Sequence, residues 1–372
     1  MTTEELTYRI AFSQVRGINR VTAEQLLARV GSEEAFFKAT DNQLRCLLTS
    51  EKRFIAQSYR NELLAKASQE IDFITRHDVK PLYFTDNNYP SRLKECDDAP
   101  LMLYTMGNCD LNSAHIVGIV GTRHSTPYGI DYTNRMVEGL SKMLDNTIII
   151  SGLAYGIDIT AHRAALKNNI PTAAVLAHGL NTIYPAQHRN TAIEMLNNGG
   201  ALITDYISTD AVHRGNFLAR NRIVAGLCDC LLVVESAEKG GALVTAHVAS
   251  SYNRDVFALP GRANDPYSAG CNRIISSGLA ALVQSPDDII NAMRWTAKAI
   301  EGDQCEMFTE LSEEEQQIHE YLLSHPQSNV NQLSVGINMP LSRLMPTLID
   351  MEFQGIIINL PGGRYEIVNP GN

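Results

Sequence analysis

The sequence lacks the short signatures that would assign a catalyst at sight. Its 372 residues contain no GxGxxG, P-loop, GxSxG or HExxH segment, which disfavours dinucleotide oxidoreductases, P-loop nucleotidases, α/β-hydrolases and zincin proteases. Its seven cysteines are scattered without a CxxC pair or zinc-type spacing, Cys228 and Cys230 being the nearest two. That excludes a disulfide framework and points to a reducing cytoplasm, with the thiols buried or idle. No apolar run approaches the roughly 20 residues of a membrane span, and no charged segment followed by an apolar one opens the chain. The expectation is a cytoplasmic protein with no membrane association. Positive charge is also short: 31 Lys and Arg stand against 41 Asp and Glu, a formal net charge of -10. Such a balance ordinarily argues against nucleic acid, yet a net charge says little about one cleft. Where the few basic residues lie decides.

What is present is organised around residues 148–166, IIISGLAYGIDITAHRAAL. Ile148, Ile149 and Ile150 read as a short buried strand. Gly152 and Gly156 bracket a turn that lets backbone N–H groups meet a ligand, and Asp158 stands where a helix takes its N-cap. Strand, glycine turn and helix N-terminus together make an anion site. From His115 onward the same alternation recurs: HIVGIV, TIIIS, TAAVLA, ALITD, CLLVVE and DVFALP, separated by helix-sized segments. This predicts an α/β fold, a Rossmann-like doubly wound parallel sheet, over residues 78–300. LMLYTMGN, Leu101 to Asn108, reads as a strand and turn preceding the main sheet.

In such a sheet ligands bind beyond the carboxyl ends of the strands. The loops there are GTRHSTPYG, SGLAYGID, HGLNTIYP, ESAEKGGALVTA and PGRANDPYSAG. Near them lies HRGNFLARNRIVAGL, His213 to Leu227, where Arg214, Arg220 and Arg222 accompany Phe217 and Asn221. With Arg123 they reverse the global charge locally. Guanidiniums beside an aromatic ring suit a single strand, cations taking phosphates and the ring a base. The competing reading pairs Arg220 and Arg222 with carboxylates such as Asp205 or Glu235 and puts Phe217 in the core. Ser151 is read as a turn hydroxyl, and His124, His162, His178 and His188 as packing or capping residues. No metal and no cofactor is assigned.

Residues 1–77 read as a helical, SAM-like domain in which Val15 to Val30 resembles a helix-hairpin-helix, with Asn19 at the second glycine position and φ > 0 expected there. After an acidic linker, EGDQCEMFTE, residues 306–372 follow a winged-helix-like order, opened by a capping box of Ser312 and Glu315. From Cys305 to Asn372 nine acidic residues face only Arg343 and Arg364. A recognition helix with one arginine reads phosphates poorly, which points to a protein-interaction module.

IVGTRHSTPYG, SGLAYGIDITAHRAAL, FLARNRIVAGL, KGGALVTAHVAS and the PGR turn resemble, in order, the signature segments of the DNA-processing protein A (DprA/Smf) family. The resemblance spans roughly residues 80–290. It implies an extended Rossmann domain that binds single-stranded DNA without cutting it, forms a homodimer and loads a RecA-type recombinase during natural transformation. Carried over by motif, the DNA site comprises Arg123, backbone near Gly121 and Gly152, Phe217, Arg220 and Asn221, with Arg222 beside them. The basic residue that the family places just before the phenylalanine stands here as Arg214. Gly240 to Ala246 depart from the family's serine-containing loop. The rival class is an enzyme similar to the Lonely Guy phosphoribohydrolases, whose PGGxGTxxE glutamate has no counterpart in KGGALVTA.

Overall fold

The computed structural model describes residues 2–48, 55–298, 311–353, 356–360 and 363–367. It divides into two compact units, Met1–Lys298 and Ala299–Asn372. The acidic linker, with Cys305, lies outside the described residues.

The first unit is built on a nine-stranded sheet. Its strands are β1 Lys80–Tyr83, β2 Met102–Gly107, β3 His115–Val120, β4 Thr147–Ser151, β5 Thr172–Val175, β6 Ala201–Thr204, β7 Cys230–Val233, β8 Asp255–Ala258 and β9 Ala281–Leu282. They lie in the order β1-β2-β6-β5-β4-β3-β7-β8-β9. From β6 to β9 every pairing is parallel. The sheet is nevertheless mixed: β2 runs antiparallel to β6, and β1 antiparallel to β2. The Leu101–Asn108 segment, expected ahead of the sheet, is therefore one of its strands, and β1 is a strand not expected from the sequence. The reason is local. Pro81 has no N–H, and β1 is an outer strand of the sheet, where a missing donor is tolerated.

Every residue of β4, Thr147 through Ser151, is buried, as a strand covered on both faces requires. Its alternation sorts side chains into two cores. Ile148 and Ile150 join one cluster with Val120 and Leu231. Ile149 joins the other with Val117, Ile119 and Leu232. Helices α7 Pro127–Met143, α8 Ile157–Lys167 and α13 Pro286–Met293 cover the second face. Helices α9 Arg189–Asn197, α10 Arg214–Leu227, α11 Gly241–Ser251 and α12 Ala269–Ser276 cover the first. The short α6 Ser91–Lys94 follows β1.

Five helices, α1 Thr3–Ser13, α2 Arg20–Val30, α3 Glu33–Lys38, α4 Asp41–Leu48 and α5 Gln57–His77, precede the sheet. Their core runs into the sheet's first face without a break, from Ile10 and Phe12 to Leu103 and Tyr104. The buried Glu70 carboxylate ties α5 to the loop after β6, accepting from Ser208 N–H at 2.7 Å and Oγ–H at 2.5 Å. Asn19 has φ −99°, not the positive value expected, because it caps α2 by accepting from Thr22 N–H. Gly17, at φ +81°, makes the turn. Of the six described cysteines, all free, Cys96, Cys228, Cys230 and Cys271 are buried, Cys109 is partly covered and Cys46 is exposed.

In the second unit α14 Glu313–Ser324, α15 Val330–Gly336 and α16 Leu341–Phe353 pack with an antiparallel sheet of β10 Ser328–Asn329, β12 Arg364–Ile367 and β11 Ile357–Leu360. Ser312 and Glu315 form the expected capping box. Among the described residues no helix is long and apolar enough to cross a membrane.

Candidate functional site

The carboxyl ends of β3, β4 and β7 and the start of α10 enclose an open cavity of about 770 Å³. Its lining includes Gly121, Arg123, Arg214, Phe217, Arg220 and Asn221, drawn from the loop after β3 and from α10. Three guanidiniums and a single carboxyl, Asp158, face it. The start of α11, at Gly240 and Gly241, adds a helix N-terminus with no acidic residue in its first turn, so the local field favours an anion.

Arg220 is the unusual group. It is 5% exposed, its guanidinium has no hydrogen bond or ion pair with any other described residue, and its Nε is sealed from solvent without a partner. Burial lowers its pKa, with the Asp158 charge opposing and Arg123 adding to the fall. Its guanidinium lies across the turn after β4. A Cβ built on Gly152 would stand 1.5 Å from Arg220 Nη1. Gly152 thus serves here by leaving room for Arg220, and its own N–H is spent on Asp158 Oδ2 at 3.1 Å. Gly121 likewise makes space, since a Cβ there would meet Ile157 Cγ1 at 2.5 Å.

Asp158 does not cap α8. Gly156 holds that position at φ +77°, pressed so close to the loop after β3 that a Cβ would be 2.1 Å from Thr122 O. Asp158 sits in the first turn of α8 and reaches back to the Gly152 N–H, closing the glycine turn on itself. Burial raises its carboxyl pKa; Arg220 and the N–H groups of Ala154 and Gly152 oppose the rise. Removal from water outweighs these donors.

Phe217 is half-buried, with the Arg123 guanidinium 5.6 Å from its ring centre and the Tyr184 ring 5.6 Å away, edge on. Both rings line the cavity. Arg214 and Arg123 are exposed and make no ion pair among the described residues. Arg222, grouped with them by sequence, does not line the cavity. Its Nη2 donates to Asp205 Oδ2 at 2.8 Å and its Nη1 to the Asp98 carbonyl. The carboxylate-pairing alternative therefore holds for Arg222 and fails for Arg220. Glu235 is occupied by Thr126, whose N–H and Oγ–H it accepts.

The remaining polar residues are structural. Ser151 Oγ donates to Ile119 O at 2.5 Å. His162 is buried, with Nδ1 2.7 Å from Thr172 Oγ1, and burial depresses its pKa to about 3. His188 Nδ1 lies 2.7 Å from Leu153 O. Among the described residues no cluster of His, Cys, Asp and Glu is arranged to hold a metal.

Tyr184, Val212 and Leu218 also line the cavity, and they are 48%, 44% and 57% exposed. None was singled out by sequence. Tyr184 had a signal, an aromatic before proline in a rim loop. Leu218 had none, since an apolar residue beside Phe217 reads as core.

The chain matches the family of DNA recombination-mediator protein A over residues 80–294. DNA processing protein DprA of Streptococcus pneumoniae is 38% identical over 205 residues, covering 55% of this chain and 71% of that one. Protein Smf of Escherichia coli is 34% identical over 291 residues, 75% of each chain. Of solved structures, DNA processing protein A from Streptococcus pneumoniae aligns with a TM-score of 0.62 at 30% identity, over 78% of this chain and 98% of that one. DNA processing protein A from Helicobacter pylori, solved for its single-stranded DNA binding mode, aligns with a TM-score of 0.52 at 29% identity, over 59% and 97%.

Proposed function

This chain belongs to the DNA recombination-mediator protein A family, and from that premise we propose that its cavity binds single-stranded DNA without cutting it. The observation that carries the reading is Arg220, a buried cation with no ion-pair partner among the described residues. A buried charge with no hydrogen-bonded partner is costly; the nearby Asp158 charge offsets only part of that cost, and a phosphate entering the cavity would balance it with charge-assisted hydrogen bonds. Arg123 and Arg214 take adjoining phosphates, and Asn221 offers its amide. Phe217 stacks a base, which demands that the base be unpaired. Arg222, held by Asp205, acts by positioning α10. The single-stranded DNA binding for which the Helicobacter pylori relative was solved supports the same assignment.

The wider role follows the family: protection of incoming strands and loading of a RecA-type recombinase in natural transformation, by a cytoplasmic homodimer. The 306–372 domain, read as a winged helix, suits a protein partner better than phosphates, with nine acidic residues against two arginines from Cys305 to Asn372. A gel shift with matched single- and double-stranded oligonucleotides tests the central claim. Preference for the single strand, lost in Phe217→Ala, is expected; equal affinity for duplex would sink it.

One observation favours the hydrolase alternative, namely that burial raises the pKa of Asp158 at the cavity, as a general acid needs. Against it, the Asp158 carboxylate accepts the Gly152 N–H, and no second carboxylate lines the cavity. Labelled oligonucleotides and nucleoside monophosphates, incubated with and without magnesium, are expected back unchanged. Release of free base, abolished by Asp158→Asn, would establish the enzyme.

A further inference from the structure

A second cavity, of about 600 Å³, opens on the same rim of the sheet, between the start of α7 and the loop after β8. The loop after β3 connects the two. Its residues Gly121 to Arg123 line the first cavity and Thr126 to Tyr128 the second. Between them exposed His124 packs against Tyr267, ring centres 6.3 Å apart at 34°. The loop after β8 closes on the first site too, because Ser236, a lining residue of the first cavity, donates its N–H to Tyr267 O at 2.7 Å.

The second cavity carries the two chemistries of the first. Tyr128 is 48% exposed, and its hydroxyl donates to Pro260 O at 3.2 Å, which fixes the ring as a platform. Arg262 is exposed and makes no ion pair among the described residues. The lining's carboxylate, Asp265, is occupied within its own loop, accepting from Tyr267 N–H at 2.9 Å and from Ser268 Oγ–H at 3.2 Å. An aromatic platform beside an unpaired guanidinium, reached from the first site across a ring pair, matches what a nucleotide strand presents at each step: a base face and a phosphate.

Building on the proposed single-strand binding, we infer that this cavity is a second nucleotide subsite, which takes the continuation of the strand held at Arg123 and Arg220. The path runs across the rim from Phe217 past His124 and Tyr267. Tyr128 stacks a base there, and Arg262 takes a phosphate.

The test is a length series. Fluorescence anisotropy is measured on the full chain with oligothymidylates of about three and about eight nucleotides, the shorter sized to fill the first cavity alone. The longer strand is expected to bind wild type well over tenfold more tightly. Tyr128→Ala and Arg262→Ala should each remove roughly tenfold of that gain while leaving the short strand unaffected. Arg262→Ala should also lower the salt slope for the long strand alone, by about 0.7. Tyr128→Phe keeps the ring and should keep the gain; its loss would assign the effect to the hydroxyl and overturn the stacking role. Melting temperatures identify any variant that fails to fold. Variants that bind both lengths as wild type does, or that weaken both equally, would overturn the second subsite with the first intact. Wild type that binds neither length would instead remove the parent reading.

Discussion

Gly152→Ala offers the sharpest test of how the cavity is built. The added methyl would stand 1.5 Å from Arg220 Nη1 and 2.2 Å from Cζ. These are the far atoms of a flexible side chain, so the guanidinium moves and the fold stays. Gly152 lies outside the left-handed region, and alanine there restricts the unfolded chain, a gain of about 0.4–1 kcal/mol. Melting temperature should therefore hold or rise slightly. Binding should fall, because Arg220 is driven from the cavity floor. One hydrogen bond to a charged group contributes about 1.5–3 kcal/mol, which corresponds to a roughly ten- to hundredfold rise in Kd. The slope of log K against log salt should lessen by about 0.7, one phosphate contact fewer. Anisotropy titrations of a labelled single strand over a range of salt concentrations read both quantities. Because the methyl acts through Arg220, Gly152→Ala added to Arg220→Ala should cost nothing more. Wild-type affinity and slope in Gly152→Ala would refute the reasoning, as would additive losses in the double variant.

Two further expectations concern other parts of the chain. His162 has a folded pKa of about 3 against an ordinary 6.5, so between those values the unfolded chain binds the extra proton. Stability from this group is complete above the ordinary value and declines as pH falls through that window, by up to about 1.4 kcal/mol per unit. Urea titrations from neutral to mildly acidic pH should show a shallower decline in His162→Gln than in wild type, and parallel declines would rule the burial effect out. Removal of residues 305–372 should leave single-strand affinity largely intact, since the described fold places Met1–Lys298 in a unit of its own. A truncated chain that is folded by circular dichroism yet has lost most of its affinity would contradict this.

Much of the fold is legible in the chain because β-branched runs and helix-sized spacers repeat, and a strand covered on both faces has to be apolar throughout. All six strands read from His115 onward are present, and the loops after them share one rim. β1 escaped notice because Pro81 and the turn residues that follow hide its period, and its pairing with β2 is a contact between separate segments, which no local pattern encodes. Asp158 was misread for a related reason. Its place near a helix start is local, but Gly156 holds the cap at φ +77° with Thr122 O packed against it, a contact between separate segments.

The site divides the same way. Sequence by itself placed Arg214, Phe217, Arg220, Asn221 and Arg222 in one segment; the structure makes that segment a helix, on which two residues apart means about 200° around the axis. Arg220 and Arg222 therefore do not share a face, although their closeness in the sequence grouped them in one site. Which of them meets a carboxylate was decided by tertiary structure. The end of β6 brings Asp205 to Arg222, while the side chain absent at Gly152 lets Arg220 lie in the cavity floor without an ion-pair partner. A charge keeps or loses its counter-ion according to what the rest of the chain folds against it, and spacing along the helix carries no record of that.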